Sequence, residues 1–122
     1  MERETLQRWL DAYGKAWMGR DAEVAAELYA EDATFQVTPF DEPIRGRAAI
    51  YEYWKGVTST QERIQFECEI VAVTAECGIA RWRASFLIVK PGLDTKLDGV
   101  FLITLDGKGK CTSLREWWHK KQ

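Results

Sequence analysis

Near the C-terminus, the run Ser113-Leu114-Arg115-Glu116-Trp117-Trp118-His119 places an arginine, a carboxylate and the chain's single histidine among large apolar side chains. In an extended strand, successive residues point to opposite faces, so Leu114, Glu116 and Trp118 share one side while Arg115, Trp117 and His119 share the other. Whichever side packs inward carries an ionisable group among aromatics. A carboxyl desolvated there is expected to have a raised pKa, which suits a general acid or base, although an ion pair with an arginine would bury it without chemistry. Tyr13 is the second candidate, because its hydroxyl can donate to a ligand oxygen or to Glu116; core packing is the competing use. His119 has a near-neutral titration but lies on the other strand face, and Asp98 reaches the interior only if a bulge shifts the strand before Gly99. Asp41, Glu42 and Arg45 lie in a loop that could rim a pocket or simply be solvated.

Other chemistries find little support. Cys68, Cys77 and Cys111 form an odd set without metal-ligand spacing and without a neighbouring base, so neither a zinc site, a disulfide frame nor a nucleophilic thiol is expected. Gly107-Lys108-Gly109 reads as a hairpin turn, since a phosphate-binding loop would open a helix. No metal and no cofactor are expected. Seventeen Lys plus Arg against nineteen Asp plus Glu, net charge −2, leave no basic run for nucleic acid. The apolar runs are too short to span a membrane and the first residues too charged for a signal peptide, so a cytoplasmic protein without a membrane partner is expected.

The elements that must position these groups are legible in periodicity. At 122 residues with 46% hydrophobic content, the chain is expected to form one domain, 1–122. Leu6, Leu10, Tyr13 and Trp17 recur at helical spacing, predicting a helix from about Glu4 to Gly19. Asp21 is placed to cap a second helix bearing Val24, Ala25, Leu28 and Tyr29, ended by Glu31-Asp32. A short strand over Ala33 to Val37 leads into a loop from Thr38 to Arg45. A third helix is expected from Arg47 to Lys55, stopped at Gly56. Four strands follow at Arg63–Thr74, Ile79–Lys90, Lys96–Leu105 and Lys110–His119, joined by short turns and therefore antiparallel, with the strand near Phe35 at an edge. Helices followed by a meander give an α+β domain with its helices on one sheet face. Trp82 and Phe86 are expected to face those helices, with Arg81 and Arg83 turned away.

The run Asp21 to Leu28, Tyr29-Ala30-Glu31-Asp32-Ala33-Thr34-Phe35, the spaced Pro43, Gly46, Arg47, Ala49 and Ile50, and Arg115-Glu116-Trp117-Trp118 together resemble the SnoaL-like members of the NTF2-like superfamily. The resemblance implies a cone in which three N-terminal helices pack on a curved antiparallel sheet around a deep apolar pocket. It also implies a homodimer through the convex face, with Trp117 and Leu87 otherwise exposed, and an inward-facing Glu116. The fold hosts enzymes and plain binding modules alike, so function rests on the site. Tyr13 matches the tyrosine of the ketosteroid isomerase branch. That branch's aspartate base does not recur in Gln36-Val37-Thr38-Pro39, nor its second aspartate in Gly99-Val100-Phe101, which removes its proton-abstraction mechanism and excludes the steroid isomerase reading. The Asp-Arg-Asp set of limonene-type epoxide hydrolases has no match either. The expected ligand is a small apolar or aromatic molecule walled by Trp17, Tyr53, Trp54, Phe66, Trp82, Phe86, Phe101 and Trp118. Cofactor-free isomerisation, cyclisation or dehydration is one reading, and ligand binding or dimerisation without turnover is the other.

Overall fold

Leu6, Trp9, Leu10, Tyr13 and Trp17 all turn inward from one helix, α1 (Arg3–Met18), and they lay an aromatic stripe across the sheet beneath it. The architecture is that of a computed structural model describing residues 1–122. Asp21 caps α2 (Ala22–Glu27), its carboxylate accepting from the Val24 amide at 3.1 Å. Strands β1 (Tyr29–Gln36) and β2 (Ile44–Arg45), helix α3 (Arg47–Thr60) and strands β3 (Gln61–Val73), β4 (Gly78–Ile88), β5 (Leu93–Leu105) and β6 (Cys111–Lys121) complete the chain. The six strands form one unclosed sheet in the order β2-β1-β6-β5-β4-β3, with the helices against its concave face, an α+β arrangement. No helix is long and apolar enough to cross a membrane.

Several element boundaries differ from the sequence expectation, each for a packing reason. Helix α2 stops at Glu27 and β1 begins at Tyr29, so Glu31-Asp32 lies within a strand. The carbonyls there bond outside any helix: Leu28 accepts from the Cys111 amide at 2.9 Å, and Tyr29 accepts twice from the Arg47 guanidinium at 2.9 and 2.7 Å. Val24, expected inside, is exposed.

Helix α3 runs through Gly56 to Thr60, because Ile50, Trp54 and Thr58 share a buried stripe and the Thr58 hydroxyl donates to the Trp54 carbonyl at 2.9 Å. Such packing outweighs the roughly 1 kcal/mol that a mid-helix glycine costs. The strand near Phe35 is not at the edge. It lies between β2, which emerges from the expected loop, and β6, to which it runs parallel.

The orientation of the long strands is as their alternation requires. Trp82 and Phe86 are buried, and their ring centroids lie 6.1 and 6.0 Å from that of Trp17 on α1. On the outer face, Arg81 grips Asp98 with two hydrogen bonds of 3.2 and 2.8 Å, and Arg83 reaches Glu67 at 3.6 Å.

Candidate functional site

Glu116 projects from β6 into the concave side, 5% exposed, directly opposite Phe101 on β5. Leu114, two residues before it, is fully buried, and Trp118, two residues after, is half-buried and anchored by its indole N–H to the Val37 carbonyl at 2.8 Å. The ion pair that would have made Glu116 structural is absent. Arg115 lies on the opposite strand face with its guanidinium 5.0 Å from the centre of the Trp117 ring, and no lysine, arginine or histidine forms a salt bridge with Glu116. Burial alone pushes its carboxyl well above the usual carboxylate range, which favours the protonated form over the charged one.

Three tyrosines stand within electrostatic range of that carboxyl. Tyr13 comes from α1, Tyr29 from the start of β1 and Tyr53 from α3; burial is the largest cause of the raised pKa of each, and a charge on Glu116 would raise them further. Each therefore remains a hydroxyl donor. The Tyr13 ring packs edge-on against Phe101 at 5.4 Å, which sets it over the residue opposite Glu116. No hydrogen bond joins Tyr13 to Glu116, and neither polar group has a hydrogen-bond partner elsewhere in the chain. The expected Tyr13–Glu116 hydrogen bond is thus replaced by two uncommitted groups on the same side of the sheet.

The aromatic residues expected as pocket walls converge on these groups. Trp54 meets Tyr13 at 5.4 Å, Phe66 meets Tyr13 at 5.3 Å, and Trp82 stacks on Phe101 at 5.0 Å with an interplanar angle of 14°. Tyr53 packs edge-on against Phe35 at 5.2 Å, and the Trp17 indole donates to the Gln61 side chain at 2.8 Å. The main surface hollows lie elsewhere, among them one on β3 to β5 around Arg83 and Lys96 and one between α2 and α3 around Arg47 and Tyr51; neither Glu116 nor Tyr13 lines them, and where an open pocket was expected the aromatic side chains pack on one another.

Two residues outside the expected set contribute. Trp9 stacks on Tyr13 at 5.3 Å and fits the same helical stripe, three residues after Leu6 and four before Tyr13. Tyr29, expected among the apolar positions of the second helix, reaches the interior from the start of strand β1.

The remaining candidates lie away from the interior. His119 is exposed on the outer face, opposite Asp98, and no bulge occurs at Gly99 to bring Asp98 inside. Hydrogen bonding from Arg81 holds the Asp98 carboxyl below its usual range. Asp41 is exposed on the loop, accepting from the Thr38 hydroxyl at 2.9 Å, and Glu42 and Arg45 are exposed beside it. Burial pushes the Cys68 thiol up to about 11 and that of Cys111 higher, so neither supplies a thiolate. No three His, Cys, Asp or Glu side chains converge as a metal site.

Residues 6–114 match the SnoaL-like domain family. A curated relative, steroid Delta-isomerase of Nocardioides simplex, is 31% identical over 118 residues, covering 95% of this chain and 88% of that protein. Among solved structures, the epoxide hydrolase/cyclase-like enzyme SalBIII, connected with pyran ring formation in the polyether salinomycin, superposes with a TM-score of 0.84 at 21% identity, covering 98% of this chain and 95% of the other. RV0760c of Mycobacterium tuberculosis superposes at 0.85 with 14% identity over 99% of this chain and 98% of its own. The same protein in complex with estradiol-17beta-hemisuccinate superposes at 0.82 with 15% identity over 97% and 98%. At these identities, the structural matches speak for the fold.

Proposed function

The chain belongs to the SnoaL-like domain family of NTF2-like fold, and from that membership we propose that it is a cofactor-free acid/base enzyme acting on a small apolar or aromatic compound, with Glu116 as the acid and Tyr13 as a second donor. The observation that carries this reading is the uncommitted carboxyl of Glu116, buried among tyrosines with neither cation nor hydrogen bond. A neutral carboxyl offers an O–H donor and a carbonyl acceptor on one carbon. It can pass its proton to a ligand oxygen while its other oxygen takes a proton from a neighbouring position, so it begins and ends neutral. Tyr13 would share the negative charge that develops on the ligand oxygen. Double-bond migration and ring closure both fit such an exchange, and the names of the relatives fall in the same range. No separate aspartate base is required. The steroid isomerase mechanism set aside for lack of that base therefore need not be the route by which a related double-bond shift occurs.

The test uses 3-cyclohexen-1-one, whose conversion to the conjugated isomer is read by ultraviolet absorbance. Glu116→Gln should lower turnover by roughly 10²- to 10⁴-fold without loss of fold, the range expected for a general acid or base. Wild-type rates unchanged in the variant would end the proposal.

A second reading, a ligand-binding module without turnover, is favoured by the fact that Glu116 is the only acidic residue among the buried polar side chains. Saturable binding of the ketone with no isomerisation by the wild type would select it. Under either reading, the chain is proposed to act as a homodimer through its outer sheet face, where Val100 and Trp117 are exposed side by side on paired strands.

A further inference from the structure

Besides the Glu116 carboxyl and the Tyr13 hydroxyl, three polar atoms wholly shut off from solvent have no hydrogen-bond partner: the Tyr29 hydroxyl and the indole nitrogens of Trp54 and Trp82. Two of them account for each other. The Trp54 indole lies close enough to the Tyr29 hydroxyl to temper the rise in its pKa, so a small shift would let the N–H donate to that oxygen. Trp82 has no such neighbour. It is 2% exposed, and the residues facing it across β4 are Cys68 on β3 and Gly99 on β5, neither of which accepts its N–H.

Aromatic faces do not absorb this donor either. An indole N–H lies in the plane of its ring, so it meets another ring's face only when the two planes approach a right angle. Phe101 and Phe66 are nearly parallel to Trp82, at 14° and 25°, and only Trp17 at 59° inclines toward that geometry. Leaving a buried donor unmade costs free energy that an apolar ring of similar size would avoid.

Resting on the acid/base reading of Glu116, we propose that Trp82 is a second polar anchor of the same site and fixes its ligand class: a flat aromatic molecule with a hydrogen-bond acceptor at each end. Glu116 and Ala80 both lie opposite Phe101, on the two neighbouring strands, and Trp82 is two residues along from Ala80 on the same face. Strand spacing and rise then separate the Glu116 and Trp82 backbones by about 12 Å. Phe101 forms the apolar floor between them. One ligand oxygen meets Glu116 and Tyr13; the other accepts from the Trp82 N–H after the rings part to admit the molecule. Trp82 is thus a specificity-determining residue that selects against ligands with an apolar far end.

The test compares 6-methoxy-1-tetralone with its near-isostere 6-ethyl-1-tetralone, which has no far acceptor, by titration calorimetry. The wild type should bind the methoxy ketone roughly three- to tenfold more tightly, the worth of one neutral hydrogen bond. Trp82→Phe should abolish that preference while still binding both. In ¹⁵N-labelled protein, the Trp82 indole proton should move downfield with the methoxy ketone only. Equal wild-type affinities, an unmoved indole proton or no binding of either ketone would each overturn the proposal. The two readings fail separately: if Glu116 does not touch the ligand, Glu116→Gln binds both ketones like wild type while the Trp82 preference persists. If Trp82 is idle, the preference is absent while Glu116→Gln still alters ketone binding.

Discussion

Glu116 has neither a cation nor a hydrogen bond, so the desolvation of its charged form goes uncompensated, and the carboxyl holds its proton more tightly in the folded chain than in the unfolded one. The folded pKa lies above the ordinary value of 4.5, so this contribution to stability is complete below that pH and is lost as pH rises toward the folded pKa. Relative to Glu116→Gln, whose amide does not titrate, the wild type should lose melting temperature through that window and then hold a constant deficit. Thermal denaturation of both proteins from pH 4 to 9 checks this; a wild type that gains on the variant with rising pH would mean a charged, paired carboxylate. Turnover should fall over the same rise in pH, because the proposed donor is the neutral acid. Tyr13→Phe removes a hydroxyl that no group in the chain uses, so it should change stability by about 1 kcal/mol or less while slowing the reaction.

At the scale of elements, the site depends on β5 and β6 lying close enough for Phe101 and Glu116 to face each other, and Gly99 permits that approach. A methyl group at Gly99 would come within 2.3 Å of the Trp117 carbonyl oxygen and 2.7 Å of the Trp118 Cβ, positions fixed by backbone. Gly99→Ala should therefore cost about 1–3 kcal/mol and disturb the placement of Trp118, measured by urea denaturation and near-ultraviolet circular dichroism. Asp21→Ala removes one side-chain cap from α2 and should cost about 1 kcal/mol without altering binding. The contrast lies in where each residue acts: Gly99 holds the two strands that carry the site, whereas Asp21 serves a six-residue helix away from it.

At the scale of the whole molecule, the two faces of one sheet differ in what covers them. The concave face is closed by helices, while the outer face leaves Trp117 38% exposed beside Val100, with the ion pairs of Arg81 with Asp98 and Arg83 with Glu67 nearby on β3 to β5. Leu87, expected to be exposed with it, is half-buried. An exposed apolar patch on paired strands is suited to self-association. Sedimentation should give a dimer at micromolar concentration, and Trp117→Glu should give a monomer with its melting transition preserved; a wild-type monomer at high micromolar concentration would exclude the interface.

Periodicity in the sequence determined which side chains share a face. The spacing of Leu6, Leu10, Tyr13 and Trp17, and the alternation of Ala80, Trp82, Ala84 and Phe86, are local properties of helix and strand geometry, and the structure keeps them. The α+β class followed from the same patterns. Boundaries were decided by partners distant in sequence: Arg47 and Cys111 draw Leu28 and Tyr29 out of a helix, and the buried stripe of Trp54 and Thr58 carries α3 past Gly56. The site divides in the same way. That Glu116 alternates with Leu114 and Trp118 was legible in the chain, but that no cation reaches it was not, because charge pairing depends on which strands become neighbours. The parallel seating of β1 against β6 and the inward turn of Tyr29 were likewise settled by tertiary structure, since parallel pairing joins strands separated by most of the chain.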